Sequence, residues 1–175
     1  MLRFMRLNAI ASRRFGRGDY AGAADCYQRM LADDPRQTFA LSMLADCQER
    51  QGLLADALAT AMKAVAAVPG DFLALRTMAR ACLNTGDPHT AKLYVERALA
   101  ATPSPVSAAE VRWILRVGRL FLGAMRLLPR YRKRLSSVAL ADFDPNRDAR
   151  EWTTWAHEYL AWYADTFSDS GSPVN

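Results

Sequence analysis

One pattern recurs three times along this chain at a spacing of 34 residues. Glycine, alanine and proline each keep that spacing, at Gly18, Gly52 and Gly86, at Ala23, Ala57 and Ala91, and at Pro35, Pro69 and Pro103. A unit of this length cannot bury its own apolar face, whereas stacked copies bury one continuous core together. The spacing therefore predicts a solenoid of three stacked repeats.

Each repeat is predicted to be a pair of antiparallel helices joined by a tight turn. The glycine between the two helices supplies the backbone freedom that the turn requires, and the proline after the second helix stops it. The predicted pairs are Phe4–Arg17 with Tyr20–Asp33, Thr38–Gln51 with Leu54–Ala67, and Phe72–Thr85 with Pro88–Ala101. The fold class that follows is all-α.

The apolar positions agree with this register. Leucine recurs at Leu7, Leu41 and Leu75, and a small residue recurs at Ala11, Ala45 and Ala79, where the two helices of a repeat come closest. Over about residues 4–103 the sequence resembles the tetratricopeptide repeat family. It departs from that family at the first position of the first helix, where leucine replaces the usual aromatic residue in all three copies.

The resemblance implies that the first helix of each repeat lines a concave groove for a peptide or protein segment. Carrying the register over predicts these groove residues: Asn8, Ser12, Phe15, Phe39, Met43, Asp46, Glu49, Leu73, Arg76, Arg80 and Asn84. Arg76 and Arg80 share one helix face. Two interpretations stay open: the arginines grip an acidic group of the bound segment, or they and the acidic side chains of the neighbouring helix neutralise each other.

One subset of the family binds the C-terminal carboxylates of heat-shock chaperones through a clamp of lysine, asparagine and arginine side chains. The corresponding positions here are Asn8, Ser12, Met43, Leu73 and Thr77, and only the polar character of Asn8 and Ser12 survives. The comparison disfavours chaperone tails as ligands. The apolar groove residues favour an apolar or amphipathic segment instead.

Charge divides the rest of the chain. Residues 112–141 carry eight basic and no acidic side chains, whereas residues 142–175 carry seven acidic and two basic ones. We expect residues 104–141 to form a basic helix that caps the last repeat, followed by a basic linker. The cluster Arg130, Arg132, Lys133 and Arg134 leaves two alternatives open, contact with an anionic membrane surface or with nucleic acid.

Residues 142–167 are predicted to form an aromatic-rich helix, and residues 168–175 a disordered tail. The aromatic residues of interest are Trp152, Trp155, Tyr159, Trp162 and Tyr163. A face of this kind is too apolar to remain in water. It either packs on the basic helix or serves as a docking ridge for a partner, because Trp and Tyr dominate interface energies.

The sequence offers no basis for catalysis. It has no plausible nucleophile–base pair, no phosphate-binding glycine loop and no metal-ligand spacing, so we expect neither an enzyme nor a cofactor or metal. Three cysteines without a CxxC motif indicate a reduced, cytoplasmic setting. No stretch of about 20 residues is free of charge, which disfavours a membrane-spanning helix.

The function predicted from these features is a non-catalytic adaptor, scaffold or assembly factor whose partner is another protein or peptide. One alternative is a secretion chaperone, because the repeat number and length resemble the class II chaperones of type III secretion. Those chaperones tend to be acidic, and the net charge of +5 argues against that alternative. A peripheral membrane adaptor that uses the basic segment is the other.

Overall fold

The computed structural model describes residues 2–104, 110, 116 and 147–167, and these contain seven α-helices and no β-strand. Six helices follow one another closely: α1 (Leu2–Phe15), α2 (Tyr20–Asp33), α3 (Thr38–Arg50), α4 (Leu54–Ala67), α5 (Phe72–Asn84) and α6 (Pro88–Ala100). The seventh, α7, spans Arg147–Phe167. The bounds of these six helices agree with those predicted from the 34-residue period to within two residues at each end.

Each helix packs on the next along the chain from α1 to α6, and α3 also packs on α5. This arrangement makes three helical hairpins that stack in sequence. The first helices of successive repeats therefore lie on one side of the stack, as a tetratricopeptide-like solenoid requires.

The turns inside the three hairpins share one geometry. Their glycines have φ angles between 78° and 81°, a left-handed conformation that strains any residue with a side chain. In the second repeat the amide of Leu53 donates to the carbonyl oxygen of Gln48, and the amide of Gly52 donates to that of Glu49, both at 2.9 Å. These are the two bonds of a Schellman motif, and the same pair of bonds closes the other two turns.

The second helix of each repeat begins directly after this turn, and its N-cap differs between repeats. Asp19 caps α2 by accepting from the amide of Gly22 (2.9 Å), and Asp87 caps α6 by accepting from the amide of Thr90 (3.0 Å). Hydrogen bonds from Thr90 lower the pKa of the Asp87 carboxyl. The equivalent position before α4 is Leu53, which has no side-chain oxygen and makes no cap.

The core lies between the paired helices, at the positions that the repeat register predicts. Side chains equivalent across the three repeats are nearly all buried: Leu7, Leu41 and Leu75; Ala11, Ala45 and Ala79; Ala23, Ala57 and Ala91; Tyr27, Ala61 and Val95; Met30, Ala64 and Ala98. The predicted packing register is confirmed. Since alanine occupies both sides of each closest approach, the two helix backbones can come close together.

The cysteines belong to this core. Cys26, Cys47 and Cys82 are buried free thiols. Burial raises the pKa of Cys47 to about 12, with a further contribution from the nearby Asp46 carboxylate, and burial raises that of Cys82 to about 11. These two side chains are protonated at physiological pH and act as small apolar residues.

Internal packing divides the chain into two compact units, Met1–Thr102 with Trp155–Asn175, and Pro103–Thr154. Within the first unit, α7 packs on the start of α6. The hydroxyl of Tyr159 donates to the carbonyl oxygen of Pro88 (2.8 Å), Tyr163 lies within hydrogen-bond distance of His89, and Lys92 lies over the Tyr163 ring. No described helix has the length and apolar character needed to cross a bilayer.

Because repeat two lacks the cap that repeats one and three possess, we expect Leu53→Asp to stabilise the fold. A carboxylate at this position can accept from the free amides of the first turn of α4, a gain of about 1 kcal/mol in the free energy of unfolding. Urea denaturation monitored by circular dichroism measures it. Leu53→Ala, which changes the same site without adding a side-chain oxygen, is the matched control and should give no gain; equal gains in both variants would contradict the capping argument.

The buried thiols should be inert in the folded protein. With a pKa of about 12, roughly one Cys47 side chain in ten thousand is ionised at pH 8, and the protein encloses it. We expect a thiol reagent such as DTNB to react slowly with the native chain at pH 8 and rapidly with all three cysteines in guanidinium chloride. Ala59→Cys, at an exposed position of α4, provides the control: one thiol should react quickly in the native variant. Rapid reaction of the wild-type chain under native conditions would contradict the expectation that its buried thiols are inert.

Candidate functional site

The candidate site is the face formed by the first helix of each repeat, which we call the groove face. It is defined by the predicted groove residues on α1, α3 and α5. Side chains connect these helices: Phe4 on α1 meets Phe39 on α3 edge to face, with ring centroids 6.2 Å apart, and α3 contacts α5 directly. The three helices thus present one continuous surface.

An ion cluster occupies the part of the groove face between α3 and α5. Arg80 donates from Nε to Glu49 Oε2 at 2.7 Å and from Nη2 to Asp46 Oδ1 at 3.0 Å. The carboxylates are enclosed, with side-chain exposures of 16% for Asp46 and 19% for Glu49. For Arg80 this is the arrangement that the neutralisation interpretation describes, since its guanidinium is held by two internal carboxylates.

Arg50 joins the same cluster, although sequence reasoning did not single it out. Its Nε lies 3.8 Å from Asp46 Oδ1, and its guanidinium lies over the Phe15 ring, 5.9 Å from the centroid. The i, i+4 spacing from Asp46 was the signal that could have identified it. With Arg50 included, the cluster holds two cations and two carboxylates and has no net charge.

Apolar side chains form the remainder of the groove face. Phe15, Phe39, Met43 and Leu73 are all half-buried, so each offers part of its surface to solvent. Met5, on the same side of α1, is 59% exposed. The groove face is therefore an apolar strip beside a neutral ion cluster.

The polar groove residues occupy distinct positions. Ser12 and Asn84 are exposed, while Asn8 is half-buried and its Oδ1 is enclosed without a donor among the described residues. Arg76 is half-buried and its guanidinium lies 5.7 Å from the centroid of the Phe72 ring. The clamp-equivalent Thr77 is buried and donates to the carbonyl oxygen of Leu73 (2.8 Å), so it cannot contact a ligand.

The structure divides the aromatic ridge predicted on α7. Trp152 and Tyr159 are buried, and Tyr163 is half-buried against α6, whereas Trp155 and Trp162 are 37% and 50% exposed. Burial raises the pKa of the Tyr159 phenol, which keeps its proton for the bond to the Pro88 carbonyl. Tyr159 and Tyr163 therefore dock α7 on α6.

The predicted basic contact cluster, Arg130, Arg132, Lys133 and Arg134, lies outside the described residues, as do most of the predicted capping helix and the tail. Within the described part of the chain, no group of three His, Cys, Asp or Glu side chains is placed to hold a metal ion.

Comparison with known families agrees with the geometry. Residues 8–72 match a family model described as tetratricopeptide repeat, and the same hairpin geometry continues to the end of α6. Residues 2–100 therefore have the fold of a tetratricopeptide-like solenoid of three helical hairpins. No curated protein matches the sequence.

Solved structures of tetratricopeptide domains share this fold. The first such domain of Spaghetti (RPAP3), bound to the HSP90 peptide SRMEEVD, is 21% identical, with a TM-score of 0.55, over 69% of this chain and 94% of that one. The Sgt2 domain from Aspergillus fumigatus is 21% identical, with a TM-score of 0.57, over 83% and 91%. PcrH in complex with the chaperone-binding region of PopD is 19% identical, with a TM-score of 0.52, over 66% and 86%. At these identities the likeness shows the fold alone.

Removing Arg80 should destabilise the array. In Arg80→Gln, the enclosed carboxylates of Asp46 and Glu49 lose their shared cation and repel each other, which we expect to lower the free energy of unfolding by about 1–3 kcal/mol. Urea denaturation at low and high salt measures the loss, which should depend only weakly on salt because the two carboxylates are largely enclosed.

The exposed pair of Arg147 and Glu151 offers a matched control. Both side chains are about two-thirds exposed, so Arg147→Gln should change stability by less than about 0.5 kcal/mol. Adding Asp46→Asn to Arg80→Gln should recover part of the loss, since it removes one of the two repelling charges. Equal stabilities of wild type and Arg80→Gln would show that the cluster does not support the fold.

Proposed function

We propose that the array is a non-catalytic interaction module that binds an amphipathic segment of another protein along the groove face. The observation that carries this proposal is the exposed apolar strip on α1, α3 and α5, whose side chains come from three stacked repeats. Tetratricopeptide arrays are in general interaction modules and not catalysts. An elongated face built from several repeats suits a segment of chain better than a small molecule.

The ion pairs of the groove face favour a ligand that binds through apolar contacts. Arg80 and Arg50 are engaged by Asp46 and Glu49, so an incoming carboxylate must compete with enclosed internal partners for either cation. Breaking a largely enclosed ion pair leaves an uncompensated charge, which is costly. A ligand that covers the apolar strip gains burial energy without disturbing the cluster.

This proposal differs from the mode that chaperone-tail complexes use. The structures that resemble this array include domains described as bound to HSP90 and Hsp70 peptides. Here the clamp-equivalent Met43 and Leu73 are half-buried apolar side chains and Thr77 is buried. The ligand we propose is therefore held by its apolar side chains and not by a terminal carboxylate.

A secretion-chaperone role is the second candidate. PcrH in complex with the chaperone-binding region of PopD, and the translocator chaperone SycD from Yersinia enterocolitica, share the fold. In that case the bound segment would belong to a secreted substrate and would occupy the same groove face. The identity of the captured protein separates this candidate from an adaptor or scaffold.

Filling the groove face should abolish capture of the partner. Ser12 is exposed on α1, so Ser12→Trp adds a large side chain to the groove face. We expect affinity purification from the native cell, followed by mass spectrometry, to recover a specific partner with the wild-type chain and not with this variant.

Met62→Trp is the matched control, because Met62 is 56% exposed on α4, a second helix outside the groove face. This variant should retain the partner, and circular dichroism should show both variants folded. Retention of the partner by Ser12→Trp, or its loss only from Met62→Trp, would place the binding surface elsewhere.

A further inference from the structure

An open pocket of about 320 Å³ lies at the first helical hairpin, away from the groove face. Its lining consists of Arg3, Arg6, Leu7, Ile10 and Arg29. The three arginines come from both helices of the hairpin, and the two aliphatic side chains add an apolar floor. Such a lining suits a group that is apolar and carries negative charge beside it.

The charge of this pocket is only partly compensated. Arg3 pairs with Asp33 at 2.9 Å. In the part of the chain that the structure describes, neither Arg6 nor Arg29 lies within ion-pair distance of a carboxylate. The rest of α1 adds positive charge, since residues 2–17 contain five arginines and no acidic residue. Like charges held together in this way favour an anionic partner.

The opposite end of the same unit presents complementary features. Glu158, Trp162 and Asp165 fall within an arc of about 60° on α7, at 100° per residue. All three are exposed, and over the described residues neither carboxylate takes part in an ion pair. We call these three residues the acidic knob.

The indole at the centre of the acidic knob is held in place. Trp162 is 50% exposed, yet its ring packs against Tyr159 (5.7 Å between centroids) and edge-on against Phe167 (6.0 Å). Tyr159 is itself fixed to α6 through its bond to Pro88. A side chain ordered in advance loses less entropy when it is buried at an interface.

We propose that the acidic knob of one copy of this chain inserts into the arginine pocket of a second copy. A cavity of about 150 Å³ already holds benzene, so a pocket of about 320 Å³ has room for an indole. Within it, Leu7 and Ile10 would contact the ring, and the arginines would meet the ring face and the flanking carboxylates.

The association is head to tail. The pocket lies on the first repeat, whereas α7 is docked on α6 in the third, so the two surfaces on one molecule are different patches. A contact between unlike patches leaves a free pocket at one end of the assembly and a free knob at the other, so it propagates into open chains or closes into rings. This self-association does not depend on the groove face and extends beyond the proposed function.

Sedimentation of the full chain over a wide concentration range tests the proposal. We expect the wild type to form concentration-dependent oligomers at about 50 mM salt and to dissociate at about 500 mM, because the contact is electrostatic. Arg6→Glu with Arg29→Glu makes both ends acidic, and Glu158→Lys with Asp165→Lys makes both ends basic. Each double variant alone should remain monomeric, and mixing the two should restore assembly.

Controls separate this contact from nonspecific charge effects. Arg36→Glu with Lys63→Glu makes the same charge change at other exposed sites and should leave assembly intact. Trp162→Ala should weaken association at least about tenfold, with an unchanged circular dichroism spectrum. Ser12→Trp should associate as the wild type does, which keeps this result distinct from the outcome of the groove test.

Two outcomes would overturn the proposal. A wild-type chain that stays monomeric at every concentration would leave the pocket to an acidic segment of a different protein. Oligomers that persist in both double variants would show that copies associate through another surface.

Discussion

The close approach of the two helices in each repeat is the constraint on which this structure depends. Alanine stands on both helices where they meet, as with Ala11 and Ala23 in the first repeat, and neither has any exposed surface. A larger side chain at either position would push the helices apart, since cores tolerate added volume poorly. The same spacing in three repeats gives hairpins of equal thickness, and hairpins of equal thickness can stack in register.

Because of this regularity, much of the fold can be predicted from the sequence. The turn glycines, the alanine positions and the prolines all repeat at 34 residues, so each local signal is supported by two copies of itself. Even a tertiary contact follows from the period: Asp46 and Arg80 are 34 residues apart, which places them side by side on adjacent repeats. The equivalent residue in repeat one is Ser12, so the ion cluster ends at α3 instead of continuing along the groove face.

Features that occur only once in the chain could not be predicted from the 34-residue period. The docking of α7 on α6 through Tyr159 and Pro88 joins residues 71 positions apart and has no counterpart in another repeat. Sequence alone showed that the aromatic face must be covered, and it offered the basic helix as the cover. It could not show that Tyr159 and Tyr163 would pack on the start of α6. The Tyr159 hydroxyl donates to the backbone carbonyl of Pro88, and because every residue has such a carbonyl, the sequence carries no signal for this contact.

The distribution of charge distinguishes the two kinds of recognition that we propose for this array. In the groove face, Asp46, Glu49, Arg50 and Arg80 satisfy one another, so the ligand that we propose there would be selected by its apolar surface. By contrast, the exposed charges of Arg6 and Arg29 at the first hairpin, and of Glu158 and Asp165 on α7, make no ion pair among the described residues. Salt screens exposed charges much more than enclosed ones. Raising the ionic strength should therefore weaken contacts made through the ends while leaving groove binding nearly unchanged, so the two surfaces can be controlled separately.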